Sequence, residues 1–366
     1  MKVLHYLPHV DLAAGGVVRA VLDMTSMLAG AVEECSVAYR SGPDIAAIDR
    51  GVGRLAVETV AELVAAVGRY DCVHLHGVWS REHVTIGASA REVGVATVCS
   101  PHGMLDDWCL AQKPLRKSAF LRVYRRHFRS DVAIYHCTAE GERRQVTANL
   151  AIGPERTAVC PLYLADRPPV RSSPPTSVSD VPTILFLGRI DPKKGIEHLI
   201  DAIPDVMKRL GSVRVEIAGP ATAAYRRRLM NRIRRRGLER VVEMPGMLRG
   251  VEKERAFERA GLFVLPTYQE NFGIALVESM MRNVPTLTTR GTDIWPELER
   301  HGAIIAEQTP TKLAESIVDV MTGSGRDGPS SPDLDGLRRW LDRDRIAETM
   351  VAMYEGVAAG SDGHPA

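Results

Sequence analysis

Two carboxylates, Glu270 and Glu278, are separated by seven residues that begin Asn271-Phe272-Gly273. Just upstream, Leu262-Phe263-Val264-Leu265-Pro266 reads as a short buried strand. This places Glu270 on the loop leaving that strand and Glu278 inside the helix that follows. In open parallel α/β sheets, ligands bind at such strand-end loops. The free N–H groups of a helix start suit an anion such as a diphosphate. Eight residues along a helix cover about 12 Å, whereas carboxyl pairs that cleave a glycosidic bond stand about 5–9.5 Å apart. The two glutamates are therefore expected to grip two parts of one extended ligand.

A second segment carries the opposite charge. Leu185-Phe186-Leu187-Gly188 reads as a buried strand ending at glycine, and Arg189 and Lys194 follow before a helix begins near Gly195. A guanidinium forks onto phosphate oxygens, and an ammonium acts as a compact point charge. Together they would offset a diphosphate's two charges without a metal.

These segments need a scaffold. The 366 residues, 45% hydrophobic and 25% charged with a formal net charge of +2, fit a soluble globular protein of two domains. Strands are expected at 2–8, 34–40, 72–76, 95–100, 132–137 and 157–160, then at 183–188, 213–218, 241–244, 262–266 and 286–289. Helix-favouring stretches alternate with them, which implies two parallel sheets covered by helices and facing a cleft. The expected layout is a domain over 1–165, a Pro/Ser-rich linker over 166–182, a second domain over 183–332, a C-terminal helix over 333–358 and a frayed tail over 359–366. No apolar run approaches the ~20 residues of a membrane span, and the start of the chain is expected to be a strand rather than a signal peptide. The six cysteines form no C-x-x-C pair and read as buried, reduced thiols of a cytoplasmic protein.

The chain resembles the family 4 retaining glycosyltransferases of GT-B fold. The resemblance rests on Gly188-Arg189 with Lys194-Gly195, and on Pro266 and Glu270-Asn271-Phe272-Gly273 with Glu278. Gly15-Gly16-Val17-Val18-Arg19 looks like the family's N-terminal glycine loop. His74-Leu75-His76-Gly77-Val78-Trp79 and Ser100-Pro101-His102-Gly103 look like its capsular and exopolysaccharide branch. Thr288-Thr289-Arg290-Gly291-Thr292 also fits, although Asp293-Ile294 before Trp295 departs from the usual pattern.

The resemblance implies the fold, two Rossmann-like domains, and a set of roles. Arg189 and Lys194 would hold the diphosphate, Glu270 the donor sugar's hydroxyls and Glu278 the ribose. Backbone N–H groups of Phe272 and Gly273, beside Asn271, would reach a phosphate or the sugar, and Pro245-Gly246-Met247 would cradle the base. Gly16 would let backbone approach the diphosphate closely. His102 would stand beside the donor sugar. The C-terminal helix would cross back onto the first domain. The co-substrate would be a UDP- or GDP-linked sugar, with no other cofactor.

Other chemistries fit less well. His74 and His76 share one strand face, but no further zinc ligands stand at a recognisable spacing. The G-x-G-x-x-G of dinucleotide-binding enzymes is missing around Gly15-Gly16. Asp333-Leu334-Asp335 and Asp342-Arg343-Asp344 lie in a polar stretch, not at a strand end, and read as solvated charge. The segment 113–129, with Arg116, Lys117, Arg122, Arg125, Arg126 and Arg129 among apolar residues, fits an amphipathic helix on an anionic membrane surface. It equally fits a helix packing an apolar stripe on the sheet. Arg226-Arg227-Arg228 through Arg236 reads as a solvated helix face, and no stacking-aromatic motif points to nucleic acid.

The expectation is a retaining, metal-independent hexosyltransferase that uses a nucleotide-diphosphate sugar. The acceptor is expected to be a saccharide, lipid-linked, in exopolysaccharide, capsule or envelope synthesis at the inner face of the membrane. Two alternatives stand beside it: a sugar-nucleotide epimerase of the same architecture, and a non-catalytic, membrane-attached nucleotide-binding protein.

Overall fold

The computed structural model describes residues 1–165, 181–324 and 332–361. Most of the expected linker, part of the Gly/Ser/Pro-rich stretch after 323 and the last five residues lie outside the described residues.

The chain divides into two compact units, Met1–Ala165 with Leu341–Ala366, and Asp166–Trp340. In the first unit, β1 (Lys2–Tyr6), β2 (Glu34–Tyr39), β3 (Gly53–Ala56), β4 (Cys72–His76), β5 (Ala96–Ser100), β6 (Ile134–Cys137) and β7 (Thr157–Val159) form one sheet. Its order is β3-β2-β1-β4-β5-β6-β7, and all pairs are parallel. In the second unit, β8 (Thr183–Leu187), β9 (Arg214–Ala218), β10 (Val242–Gly246), β11 (Leu262–Leu265), β12 (Thr286–Thr289) and β13 (Ile304–Ala306) form a parallel sheet in the order β10-β9-β8-β11-β12-β13.

Strand order reverses between β1 and β4 in one sheet and between β8 and β11 in the other. The loops leaving two neighbouring strands diverge there, and a ligand crevice opens at their carboxyl ends. The central strands are almost continuously buried: Leu262, Phe263 and Val264 are fully inside, as are Ile184, Leu185 and Phe186. A strand covered on both faces must be apolar at successive positions rather than alternate ones. Helix Ile196–Leu210 buries Ile196, Leu199, Ile200, Ile203 and Val206, the one-sided stripe that helical periodicity produces.

Two strands were not expected. β3 alternates half-buried and exposed residues, and β13 is apolar but only three residues long; both are sheet edges, where short strands suffice. The expected continuous helix over 333–358 is two helices. Leu334–Trp340 belongs to the second unit, and Arg343–Ser361 to the first. The second helix buries Ile346, Ala347, Met350, Met353 and Tyr354, and Arg343 Nη2 donates to Met27 O at 3.1 Å.

The basic segment also differs from a single amphipathic helix. Helix Pro114–Val123 has no buried residue, and His127–Asp131 forms a separate five-residue wide turn. Leu115 and Val123 are 86% and 72% exposed, while Phe120, Leu121 and Tyr124 pack partly against the first unit's core. The apolar residues therefore divide between two faces.

Candidate functional site

In the second unit, the loops leaving β8 and β11 are held together by hydrogen bonds to their backbone carbonyls. Tyr268 N and Thr267 Oγ1 donate to Lys193 O at 2.9 and 3.0 Å, and Gln308 Nε2 donates to Pro266 O at 2.8 Å. Gly195 closes the first loop at φ +64°, and a Cβ there would meet Pro266 O at 2.1 Å. Only glycine combines that backbone angle with that approach.

This arrangement brings Lys194 Nζ against the Glu270 carboxylate as an ion pair, with side chains 13% and 19% exposed. Burial first, then the charges of Arg189 and Lys193, pulls the Lys194 ammonium down to about 7, while Asp191 works the other way. Arg189, five residues earlier, is exposed. Glu270 is fixed on both sides by backbone: its N donates to Gly291 O, and its O accepts from Asp293 N, each at 2.8 Å. Asp293 Oδ1 also accepts from Gln269 Nε2 at 3.0 Å. Asp293, a departure from the pattern in the sequence, thus shapes the loop that carries Glu270.

Gly273 stands at φ +69° as the residue before helix Ile274–Met281. The Phe272 side chain is 2% exposed and stacks on Trp340, centroids 5.7 Å apart. It packs the unit, and Asn271 is half-buried beside it. Glu278, 8% exposed, accepts from Lys253 Nζ at 2.5 Å, and its backbone O accepts from Arg282 Nη1 at 2.9 Å. Arg282 is itself gripped by Glu254. Met247, 40% exposed, follows β10 at the sheet's edge.

In the first unit, Gly15 rather than Gly16 takes the positive φ, at +128°; Gly16 is the first residue of helix Gly16–Leu28. His102 follows β5 at φ +52°, a left-handed conformation costly for a histidine. Glu142, 1% exposed, holds that turn: it accepts from Gly103 N at 2.7 Å and from Thr138 N at 2.8 Å. His102 Nε2 meets His76 Nδ1 at 3.0 Å. Behind them His5, His74 and His136 are fully buried. Burial, with a smaller effect of His136, lowers His5 and His102 to about 3. Of the six basic residues at 116–129, Arg116, Arg122, Arg125 and Arg126 are exposed. Lys117 is tied to Cys109 O and lies over Trp79, and Arg129 Nε donates to Leu150 O.

Sequence reasoning missed Lys253, Glu142, His5 and His136. Only Glu142 carried a sequence signal, a carboxylate in the first turn of a helix directly after a buried strand.

Two doubly wound parallel sheets, each with polar loops at its switch point, define the GT-B architecture. Residues 12–162 match the glycosyl transferase 4-like domain and residues 172–328 the glycosyl transferases group 1. The chain belongs to the family 4 glycosyltransferases. It is 25% identical over 255 residues to the phosphatidylinositol N-acetylglucosaminyltransferase gpi3 subunit of Schizosaccharomyces pombe, covering 69% of this chain and 53% of that one. It is 28% identical to a phosphatidyl-myo-inositol mannosyltransferase of Mycobacterium leprae, over 48% of this chain and 47% of that one. The chain thus spans about half the length of these curated relatives. Among solved structures, Anabaena Alr3699/HepE in complex with UDP-glucose superposes with a TM-score of 0.79 at 17% identity, over 97% of this chain and all of that one. Sucrose-phosphate synthase of Thermosynechococcus elongatus gives 0.76 at 16% identity, over 98% of this chain and all of that one.

Proposed function

We propose that this glycosyltransferase moves a hexose-type sugar from a UDP- or GDP-linked donor to a saccharide acceptor with retention of configuration. The observation that carries the reading is the meeting of Lys194 and Glu270 at the β8/β11 switch point, with Arg189 beside them. The donor's diphosphate replaces Glu270 as the partner of Lys194, and Arg189 forks onto its oxygens. The released Glu270 carboxylate then accepts hydrogen bonds from sugar hydroxyls. Glu278 accepts from the ribose, and Met247 lies on the side of the base. The bond from the anomeric carbon to the phosphate oxygen breaks, and its electron pair stays on the diphosphate. Fixed cations absorb that charge without reorganising. The acceptor oxygen bonds to the anomeric carbon on the same face and gives its proton to the departing phosphate. No divalent ion is assigned a part. The family resemblance supports His102 as a further contact of the transferred sugar.

For the acceptor, the names of the phosphatidylinositol-linked relatives support a lipid-linked saccharide in envelope or exopolysaccharide synthesis. Arg116, Arg122, Arg125 and Arg126 with exposed Leu115 and Val123 support a peripheral site at the cytoplasmic face of the membrane. Among the described residues no helix is long and apolar enough to cross a membrane.

The test is incubation with UDP-, GDP- and ADP-sugars and oligosaccharide acceptors in the presence of a chelator, with the product's anomeric configuration read by NMR. The reading expects a new glycosidic bond of the donor's configuration. An inverted product, an epimerised donor with no transfer, or strict need for a divalent ion would contradict it.

A further inference from the structure

The buried face of the first sheet carries two hydrogen-bonded chains of histidines, and they differ in how their protons are fixed. In the first, His136 Nε2 meets Cys160 O at 2.9 Å, and a carbonyl can only accept. His136 therefore carries its proton on Nε2. Its Nδ1 accepts from Ser100 Oγ at 2.7 Å, Ser100 accepts from His74 Nε2 at 2.7 Å, and His74 Nδ1 accepts from Tyr354 OH at 2.7 Å. One carbonyl thus sets every proton in this chain, since burial holds both imidazoles neutral.

The second chain is His5 Nδ1 to His76 Nε2 at 3.0 Å, then His76 Nδ1 to His102 Nε2 at 3.0 Å. Among the described residues no carbonyl or carboxylate ends it, so two senses exist. In one, His5 donates to His76 and His76 to His102, and His102 keeps its proton on Nδ1. In the other, every proton moves to the opposite nitrogen, and His5 Nε2 carries an N–H. That atom is buried without a hydrogen-bond partner among the described residues. A buried orphan donor is the costlier end, because native interiors tolerate an unsatisfied acceptor better than an unsatisfied N–H. A metal at His5, His74 and His76, whose nitrogens lie within 4.8 Å of one another, would have to break these pairings, because both nitrogens of His74 and of His76 are taken.

We propose that His5 and His76 are positioning residues that set the tautomer of His102. Nδ1–H of His102 is thereby held as a hydrogen-bond donor to a ligand oxygen. Glu142 keeps the strained turn in place, and the ring planes of His5–His76 and His76–His102 are inclined by 10° and 26°. The choice of ligand, an oxygen of the transferred sugar, rests on the function proposed above; the tautomer does not.

The test is ¹⁵N NMR of histidine-labelled enzyme, with the His102 signals assigned by their loss in His102→Gln. The proposal expects the wild-type proton on Nδ1. Asn at position 5 can still donate from the place of Nδ1, whereas an ionised Asp can only accept. Burial raises a carboxyl's pKa, so the variant is followed up to about pH 10, and once ionised His5→Asp moves the His102 proton to Nε2. Its kcat then falls about tenfold below that of His5→Asn, about 1.4 kcal/mol, with donor KM changing less than about threefold. A wild-type proton on Nε2, equimolar zinc on the three buried histidines, or folded Asp and Asn variants with the same tautomer and turnover would overturn it. If His5→Asp does not fold, the wild-type tautomer decides. Full turnover in His102→Gln would remove His102 from the proposed reaction and leave the tautomer result standing.

Discussion

At the residue scale, the proposed function rests on the Lys194–Glu270 pair. Lys194→Ala is expected to lower turnover about 10²-fold or more, the usual loss when one preorganised charge-stabilising donor is removed, while circular dichroism shows an unchanged fold. The lowered Lys194 ammonium gives a pH signature. The free enzyme holds it charged below about 7 and loses the proton above, so kcat/KM for the donor should fall as one proton is lost on the alkaline side. A profile flat through that range would contradict the assignment. Arg189, Lys194, Glu270 and Glu278 were legible because each follows a recognisable buried strand at a short, typical distance. Lys253, which meets Glu278 from 25 positions away, and His5, which meets His76 from 71 away, were not legible. Local spacing carries no information about partners that only sheet order brings together.

At the scale of elements, the two strand-end loops act as one device because glycine lets them touch. Gly195→Ala adds a Cβ 2.1 Å from Pro266 O and leaves alanine at φ +64°. It should cost more than the ~1 kcal/mol of an unstrained glycine replacement, lower the melting temperature and weaken donor binding. An alanine variant with wild-type melting and affinity would refute the close approach. The alternation of strands and helices was readable throughout because central strands of parallel sheets are continuous apolar runs. β3 escaped because an edge strand needs little apolar surface, and β13 because three apolar residues are too short to read as a strand. The basic segment was misread as one amphipathic helix because its apolar residues recur at helical spacing. In the fold they serve two faces, and the exposed one carries Leu115 and Val123. Leu115→Asp with Arg122→Glu should reduce sedimentation with anionic vesicles without changing transfer to a water-soluble acceptor.

At the scale of the molecule, the first unit is completed by the end of the chain. Tyr354, fully buried on the helix Arg343–Ser361, donates to His74. Tyr354→Phe leaves His74 Nδ1 without its donor and should cost about 1–3 kcal/mol, read by denaturant unfolding. The buried histidines also predict an acid limit. Burial lowers His5 to about 3 and His136 to about 4, whereas an unfolded histidine titrates near 6.5. The unfolded chain therefore binds more protons between these values. Stability should be complete above about pH 6.5 and decline as pH falls toward 4. His136→Gln should flatten that decline. The break between residues 340 and 343, which assigns two neighbouring helices to different units, was not legible because the polar residues around it read equally well as one helix.

Calorimetric titration of the wild-type enzyme and Lys194→Ala with UDP, GDP and ADP, in chelator, addresses the central claim most directly. The account predicts tight metal-free binding of one nucleoside diphosphate and a loss of at least about tenfold, or 1.4 kcal/mol, when the ammonium is removed. Equal affinities for the two proteins, or binding that appears only with a divalent ion, would contradict it.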